Sequence, residues 1–445
     1  MPKVLQRASR TVERLVGAEV RAGEWHLVLL FFANLFLLLA AYYILKVIRE
    51  PLILLEGGAV ERSYARGLQA VLLLVLVPAY GLLANRFEPA KLVKWIMGVF
   101  VLCVGGFVFL GQLGVHVGFA FFVWLGIFST VAIAQFWSLA NDVMTEAEGK
   151  RLFPMVAAGG TVGGIFGAQI AARLIDGHPQ QLMLVAAAIL VSCALLTHMT
   201  YGAAAAHRIR VPDGPAQERD RRGGFSLVLS DRYLLLIALS VLILNFVNTT
   251  GDFLLAQLVN AKALALPHAQ QEHYIAAFYG NFQTFISVLT ALVQILVVAR
   301  AFKLIGIGSS LLFLPLFAFA GYATSALLPL LGLVATVKVV ENSTDYSLQN
   351  TLQQALFLRT SRDAKYKAKA AIDTLFVRLG DLGSTGLVFL GTLWGFSVAR
   401  YALLNVAMSA AWIVVALRLR QISARSKPEP TRDPGPGPGA VALQR

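Results

Sequence analysis

Charged side chains stand inside stretches of this sequence that are otherwise apolar, and their spacing groups them on helical faces. Tyr42, Lys46 and Arg49 recur at i, i+4 and i+7, and Glu50 lies one turn from Lys46, with which it is expected to pair. Lys338, Glu341 and Asp345 fall at i, i+3 and i+7 with Asn342 beside them, and Asn245, Asn248 and Asp252 repeat that spacing. Asp373, Arg378 and Asp381 share a further run, in which Asp381 is the nearest partner for Arg378. A charge at the centre of a membrane helix costs about 2.5–3.5 kcal/mol on insertion scales. Residues placed there face a cavity, pair with one another or mark a solute path. The chemistry on offer is charge-assisted binding of an anion, with carboxylates to reset the charge of the empty site. Structural roles compete with it: snorkelling at the end of the first run, an ion pair between Lys338 and Glu341, interhelical hydrogen bonds from the asparagines, and compensation of Arg378 by Asp381.

The elements that must position these groups are spanning helices. Of the 445 residues 57% are hydrophobic and only 14% charged, with a mean hydropathy of +0.69, whereas soluble domains carry about 25% charged residues. Twelve runs reach the ~20 residues that a spanning helix needs, at 26–48, 66–84, 92–112, 117–141, 154–175, 181–201, 232–256, 274–299, 303–325, 327–350, 367–393 and 397–419. An even count puts both termini on one side. Most of the 38 Lys and Arg residues then fall on that side, while the opposite side holds only Arg62, Arg66, Arg173, Lys262 and Arg400. This bias makes the termini cytoplasmic. It also argues against nucleic acid as the partner of a chain with net charge +14, because the basic residues lie between apolar runs and not along one face. The expected organisation is an all-α integral membrane protein, with a basic tail (1–25), a six-helix bundle (26–202), a cytoplasmic linker (203–231), a second six-helix bundle (232–419) and a disordered Pro/Gly-rich tail (420–445).

Other chemistries find no support. The seven histidines have no metal-type partners at helical spacing, and no nucleophile–base cluster can be assembled, so neither a metal, a cofactor nor an enzymatic activity is expected. Cys103 and Cys193 lie in apolar runs and read as small packing residues in the lipid phase. The run Gly159-Gly160-Thr161-Val162-Gly163-Gly164-Ile165-Phe166-Gly167 lacks the Gly-Lys-Ser/Thr ending of a phosphate loop, and its Gly-x-x-x-Gly spacings point to close helix packing.

Two segments echo each other. Phe136-Trp137-Ser138-Leu139-Ala140-Asn141-Asp142 leads into Lys150-Arg151-Leu152-Phe153-Pro154, and Asp345-Tyr346-Ser347-Leu348-Gln349-Asn350-Thr351 leads into Lys365-Tyr366-Lys367-Ala368-Lys369-Ala370-Ala371-Ile372-Asp373. One copy per half indicates a duplicated transporter. Gly81-Leu82-Leu83-Ala84-Asn85-Arg86, between the second and third runs, resembles the Gly-x-Leu-x-Asp-Arg signature of the major facilitator superfamily, whose architecture is two parallel six-helix halves.

With Ile44-Leu45-Lys46-Val47-Ile48-Arg49-Glu50, the echoing segments resemble the bacterial and plastid ATP/ADP translocases over about 33–419. The resemblance implies a major-facilitator-like fold and exchange of ATP for ADP. It gives Arg49, Lys367 and Lys369 the task of meeting phosphates. Phe122-Val123-Trp124-Leu125-Gly126 departs from the family, which carries a Glu before its Leu-Trp-Gly, and so does Thr351-Leu352-Gln353-Gln354, where the family is more charged.

The resulting expectation is a monomeric nucleotide exchanger of the bacterial inner membrane, in contact with membrane lipids. Lys46, Arg49, Asn141, Lys338, Lys367, Lys369 and Arg378 would bind the anion. Glu50, Asp142, Asp252, Glu341, Asp345 and Asp373 would serve coupling and gating. The alternative is a proton-coupled carrier of another organic anion or small molecule.

Overall fold

A computed structural model describes residues 24–84, 89–175, 179–207, 224–357, 360 and 367–425. Residues 1–23 and 426–445 of the two expected tails, Asn85-Arg86 of the signature, the middle of the linker and Lys365 lie outside the described residues, as does the side chain of Asp142; residues 420–425, expected to open the C-terminal tail, are helical.

The first half is built of α1 (Trp25–Glu56), α2 (Gly58–Ala84), α3 (Pro89–Gln112), α4 (Gly118–Val143), α5 (Glu146–Leu174) and α6 (Pro179–His207). The second is built of α7 (Arg232–Leu264), α8 (His268–Leu304), α9 (Gly306–Leu327), α10 (331–357), α11 (367–393) and α12 (Val398–Arg425). Ten of these are long and apolar enough to cross a membrane. The other two, α10 and α11, are helices of spanning length whose apolar runs are broken by Lys338, Glu341 and Asp345 and by Lys367, Lys369, Asp373, Arg378 and Asp381. In a bilayer only a helix or a closed barrel satisfies every backbone group, which accounts for charge being carried on unbroken helix and not on loops.

The boundaries differ from the expected ones where polar residues masked a helix. α2 begins at Gly58 and not at residue 66, so Arg62 is helical and does not lie in a loop, and Arg66 stands two turns inside the helix and not at its end. α10 runs 331–357, because the chain breaks at Leu328–Leu330 around Pro329. In the linker the chain is helical to His207 and again over Gly224–Ser230.

Local chemistry explains several ends. Thr145 and Glu148 form a capping box at the start of α5, with Thr145 N donating to Glu148 Oε2 at 2.9 Å and Glu148 N donating to Thr145 Oγ1 at 3.3 Å. Asp231 caps α7 through the amides of Tyr233 and Leu234. Glu56, the last residue of α1, accepts from the amides of Val117 and Gly118 and ties the start of α4 to the end of α1. The turn between α1 and α2 needs Gly58, whose φ is +72°.

α5 lies flush against α1. A methyl group at Gly159, Gly163 or Gly167 would overlap the backbone carbonyls of Phe32, Phe36 and Ala40, so the glycine run is a packing surface, as its spacing predicts. Cys193 is buried in the same bundle, its Sγ 3.2 Å from Asn34 Oδ1, and does not face lipid; Asn34 in turn donates to Thr197 Oγ1 at 2.7 Å.

The apolar core is divided. One cluster, with Phe31, Phe121 and Phe128, fills the first half. Another, with Ile237, Leu352 and Phe376, fills the linker end of the second half. At the far end a single cluster joins Ile53, Leu54 and Phe122 of the first half to Leu254, Tyr279 and Trp412 of the second. The halves are therefore sealed by shared apolar packing at the end remote from the linker.

Candidate functional site

Between the halves, near the sealed end, lies a cavity of about 200 Å³. α1 supplies Tyr42, Lys46, Arg49 and Glu50. α2 supplies Arg62, Arg66 and Gln69, which recur at i, i+4 and i+7 and so share one face. α7 and α8 contribute Asp252, Tyr279 and Gln283, and α10 adds Asn342 and Tyr346. Four cations on this lining face two carboxylates, Glu50 and Asp252.

Glu50 is held by Arg49 Nη2 at 2.5 Å and by Arg62 Nε at 2.7 Å, all three being buried. The expected pair with Lys46 does not form, because Arg62 enters from α2 and takes the carboxylate. The guanidinium of Arg49 also sits 4.0 Å from the centre of the Phe122 ring. Phe122 belongs to the stretch that departs from the translocase pattern, and a cation–π contact here stabilises the guanidinium without adding negative charge. Lys46 donates to Gln283 Oε1 at 2.9 Å and lies 5.0 Å from the Tyr43 ring centre. Among the described residues no carboxylate comes within 4.0 Å of its ammonium.

A second cluster adjoins the cavity. Lys338 is fully buried and reaches Asp252 Oδ1 at 3.2 Å, Glu341 Oε2 at 3.2 Å and Asn248 Oδ1 at 2.5 Å. Tyr322 donates to Glu341 Oε2 at 2.6 Å. This offsets the desolvation of Lys338, while Glu341 Oε1 is buried with no hydrogen-bond partner among the described residues. Arg66 crosses between the halves to Asp252 Oδ2 at 2.9 Å and to Asp381 Oδ1 at 3.5 Å. Arg378 pairs with Asp381 Oδ2 at 3.3 Å. Of the two readings of Arg378, compensation is the one the geometry supports.

Of the residues singled out from sequence, Lys46, Arg49, Glu50 and Asp252 meet in the cavity, with Lys338 and Glu341 directly behind it. Asp345 follows on α10 but does not line the cavity. Asn141 lies apart, in a second cavity at the linker end with Trp137, Phe153 and Pro154. Lys369 donates to Gln354 and is half-buried beside it, and Asp373 is exposed. Neither these two nor Lys367 lines a cavity described here. The residues missed were Arg62 and Arg66. The expected run at 66–84 leaves Arg62 outside and Arg66 at its first residue, although their i, i+4 spacing, extended by Gln69, is the available signal.

The cavity opens toward the linker end. A cleft of about 630 Å³ runs between α1, α4 and α5 on one side and α8 and α10 on the other, sharing Gln283 and Tyr346 with the charged cavity. It shares Trp137, Pro154 and Ala157 with the cavity around Asn141. Polar contacts that join the halves lie toward the other end. Gln169 donates to Thr284 at 2.8 Å and Thr385 donates to the Ser63 carbonyl at 3.2 Å. Three π-type turns, at Gln294–Val298, Asp345–Gln349 and Ile372–Phe376, interrupt second-half helices. The second echoing segment is thus a distorted helix where the first is regular, and such turns gather at functional sites.

No protein-family model matches the chain. It is 23% identical over 344 residues to ADP,ATP carrier protein 1 of Chlamydia trachomatis, covering 66% of this chain and 63% of that protein. It is 24% identical over 355 residues to ADP,ATP carrier protein 1 of Chlamydia muridarum, covering 68% and 64%. The chain therefore spans less than two thirds of the length of the curated relatives it matches. Among solved structures it is similar to the nucleoside transporter NupG (TM-score 0.58, 14% identity, 90% of this chain and 100% of that one). It is also similar to a bacterial homologue of the iron transporter ferroportin in an inward-facing state (TM-score 0.62, 13% identity, 89% and 99%). The chain is a multi-pass membrane protein of the major-facilitator-type fold, and its sequence is similar, at 23–24% identity, to two bacterial ADP,ATP carrier proteins.

Proposed function

We propose that this protein is a secondary transporter of the bacterial cytoplasmic membrane that exchanges nucleotides, in the manner of an ATP/ADP antiporter, by alternating access. One observation carries the reading: Lys46, Arg49, Arg62 and Arg66 converge in a cavity between the halves. Polyphosphates are met by such groups through short charge-assisted hydrogen bonds, and arginine adds bidentate geometry. Glu50 holds Arg49 and Arg62, and Asp252 holds Arg66, when no anion is bound, so the vacant carrier buries less unpaired charge, while Lys46 keeps the neutral partner Gln283. Rocking residues 26–202 against 232–419 would open the sealed end. In this reading both termini and the linker are cytoplasmic and the unit is a monomer in lipid. Counterflow in proteoliposomes tests it: external labelled ADP should accumulate against unlabelled internal ADP or ATP. Absence of exchange with any nucleotide, in protein shown to be folded, overturns it.

A second reading, proton-coupled transport of another organic anion, draws on the unpartnered Glu341 Oε1 beside Lys338. Uptake driven by an imposed pH gradient, without a trans substrate, distinguishes it from exchange.

A further inference from the structure

The charged cavity and the cleft beside it form one site with two unlike compartments. The cavity is lined mainly by polar groups, its four cations and two carboxylates foremost, with Val47, Phe122, Leu255 and Phe282 among them. The cleft is walled mainly by apolar and small residues: Leu35, Leu39 and Ile133 from the first half, Ile286 and Ala291 from the second. The threshold between them is built. Gln283 accepts from Lys46 through Oε1 at 2.9 Å, and its Nε2 donates to the Tyr43 hydroxyl at 3.4 Å. Tyr346, on the π-type turn of α10, borders both compartments. A simple oxyanion would leave the cleft unused. Of the cleft's own polar residues, Thr161 and Ser287 donate their hydroxyls to carbonyls of their own helices, which leaves mainly Thr290 and Gln294 to meet a hydrophilic organic group.

We propose that the ligand is an organic phosphate bearing a flat aromatic or apolar group, with its phosphate among Lys46, Arg49, Arg62 and Arg66 and that group in the α5/α8 cleft. Gln283 and Tyr346 set the boundary and are specificity-determining residues. Lys46 sits at the threshold, so it meets the phosphate nearest the organic group, and the arginines meet the more distal charge. The proposal deepens the nucleotide reading without depending on it, since an aryl or alkyl phosphate would satisfy the same geometry.

The experiment measures binding of inorganic phosphate, phenyl phosphate, dodecyl phosphate, pyrophosphate and ADP to the full chain in detergent, by thermal shift and by displacement. Burial of an aromatic ring or alkyl chain should make phenyl or dodecyl phosphate bind roughly tenfold or more tighter than inorganic phosphate. Two cleft-filling variants on opposite walls, Ala158→Trp and Ala291→Trp, should each abolish that gain and leave inorganic phosphate affinity within about twofold, since neither residue lines the charged cavity. Unchanged phosphate affinity also serves as the check on folding. Equal affinity of the wild type for phosphate and its esters, or a gain that survives filling of the cleft from both walls, overturns the proposal. If phenyl or dodecyl phosphate binds in the cleft and ADP does not, the two-compartment site stands and the nucleotide reading falls.

Discussion

Arg66 on α2 places Nη1 2.9 Å from Oδ2 of Asp252 on α7, joining the two halves through an ion pair at the rim of the charged cavity. Asp252 turns its other oxygen to Lys338, 3.2 Å away in its own half. One carboxylate therefore answers two cations from opposite halves. Separating the halves at this end would leave Arg66 without Asp252 and Asp381. An anion bound to Arg66 would replace them, which ties opening of the sealed end to occupancy of the site.

Neutralising either member should loosen this end. Arg66→Gln and Asp252→Asn should each lower stability by about 2–4 kcal/mol, less than a fully buried pair because both side chains keep some exposure. The double variant should lose less than the sum of the two, since each single change strands a charge. Thermal unfolding of the four proteins in detergent measures the coupling. Strict additivity would mean that the pair contributes nothing.

Lys46 and Arg378 should behave differently although both are cations within spans. Lys46 faces the cavity with a neutral partner, while Arg378 is engaged by Asp381. Lys46→Gln should weaken polyanion binding roughly tenfold to a hundredfold, the worth of one hydrogen bond to a charged group. Arg378→Gln should change binding by no more than about twofold and act on stability instead. Lys369→Gln and Asp373→Asn should also leave binding unaltered. Titration with pyrophosphate compares all four.

Much of the fold could be read from the sequence because a bilayer demands long apolar runs, and ten of the helices expected from such runs are long and apolar enough to cross a membrane. Reading failed where spans carry charge. Arg62 and Arg66 dilute the start of α2, so a window search begins that helix at residue 66, with Arg66 at its very end and Arg62, the other cation of this face that lines the cavity, in a loop. The Glu50 pairing failed for a related reason. Neighbours on one helix are visible in sequence, but Arg62 arrives from another helix twelve residues on. Lys367 and Lys369 were assigned to the site by family resemblance, and nothing in their spacing could show that their helix end lies away from the cavity.

The glycines of α5 permit a test of packing that is independent of transport. Gly163→Ala sets a methyl against the Phe36 carbonyl, and backbone cannot yield cheaply. A loss of about 1–3 kcal/mol is expected from overpacking. Gly105→Ala on α3 meets nothing within 4 Å and should be neutral or stabilise by about 1 kcal/mol through helix propensity. Urea or thermal unfolding of the two variants side by side checks the sign of each.

Lys338 and Glu341 offer the sharpest separation of a structural charge from a functional one. Both are fully buried, one turn apart and 3.2 Å from each other. Lys338→Met alone leaves Glu341 and Asp252 facing each other without the cation between them, so a loss of about 3–5 kcal/mol is expected. Adding Glu341→Gln removes one of those charges and keeps an acceptor for the Tyr322 hydroxyl, so the double variant should recover much of the stability. If the cluster only holds α7, α9 and α10 together, transport should recover with it. If Lys338 balances charge during the cycle, the double variant should fold well and still fail in counterflow, because Asp252 would then lack its partner whenever Arg66 departs.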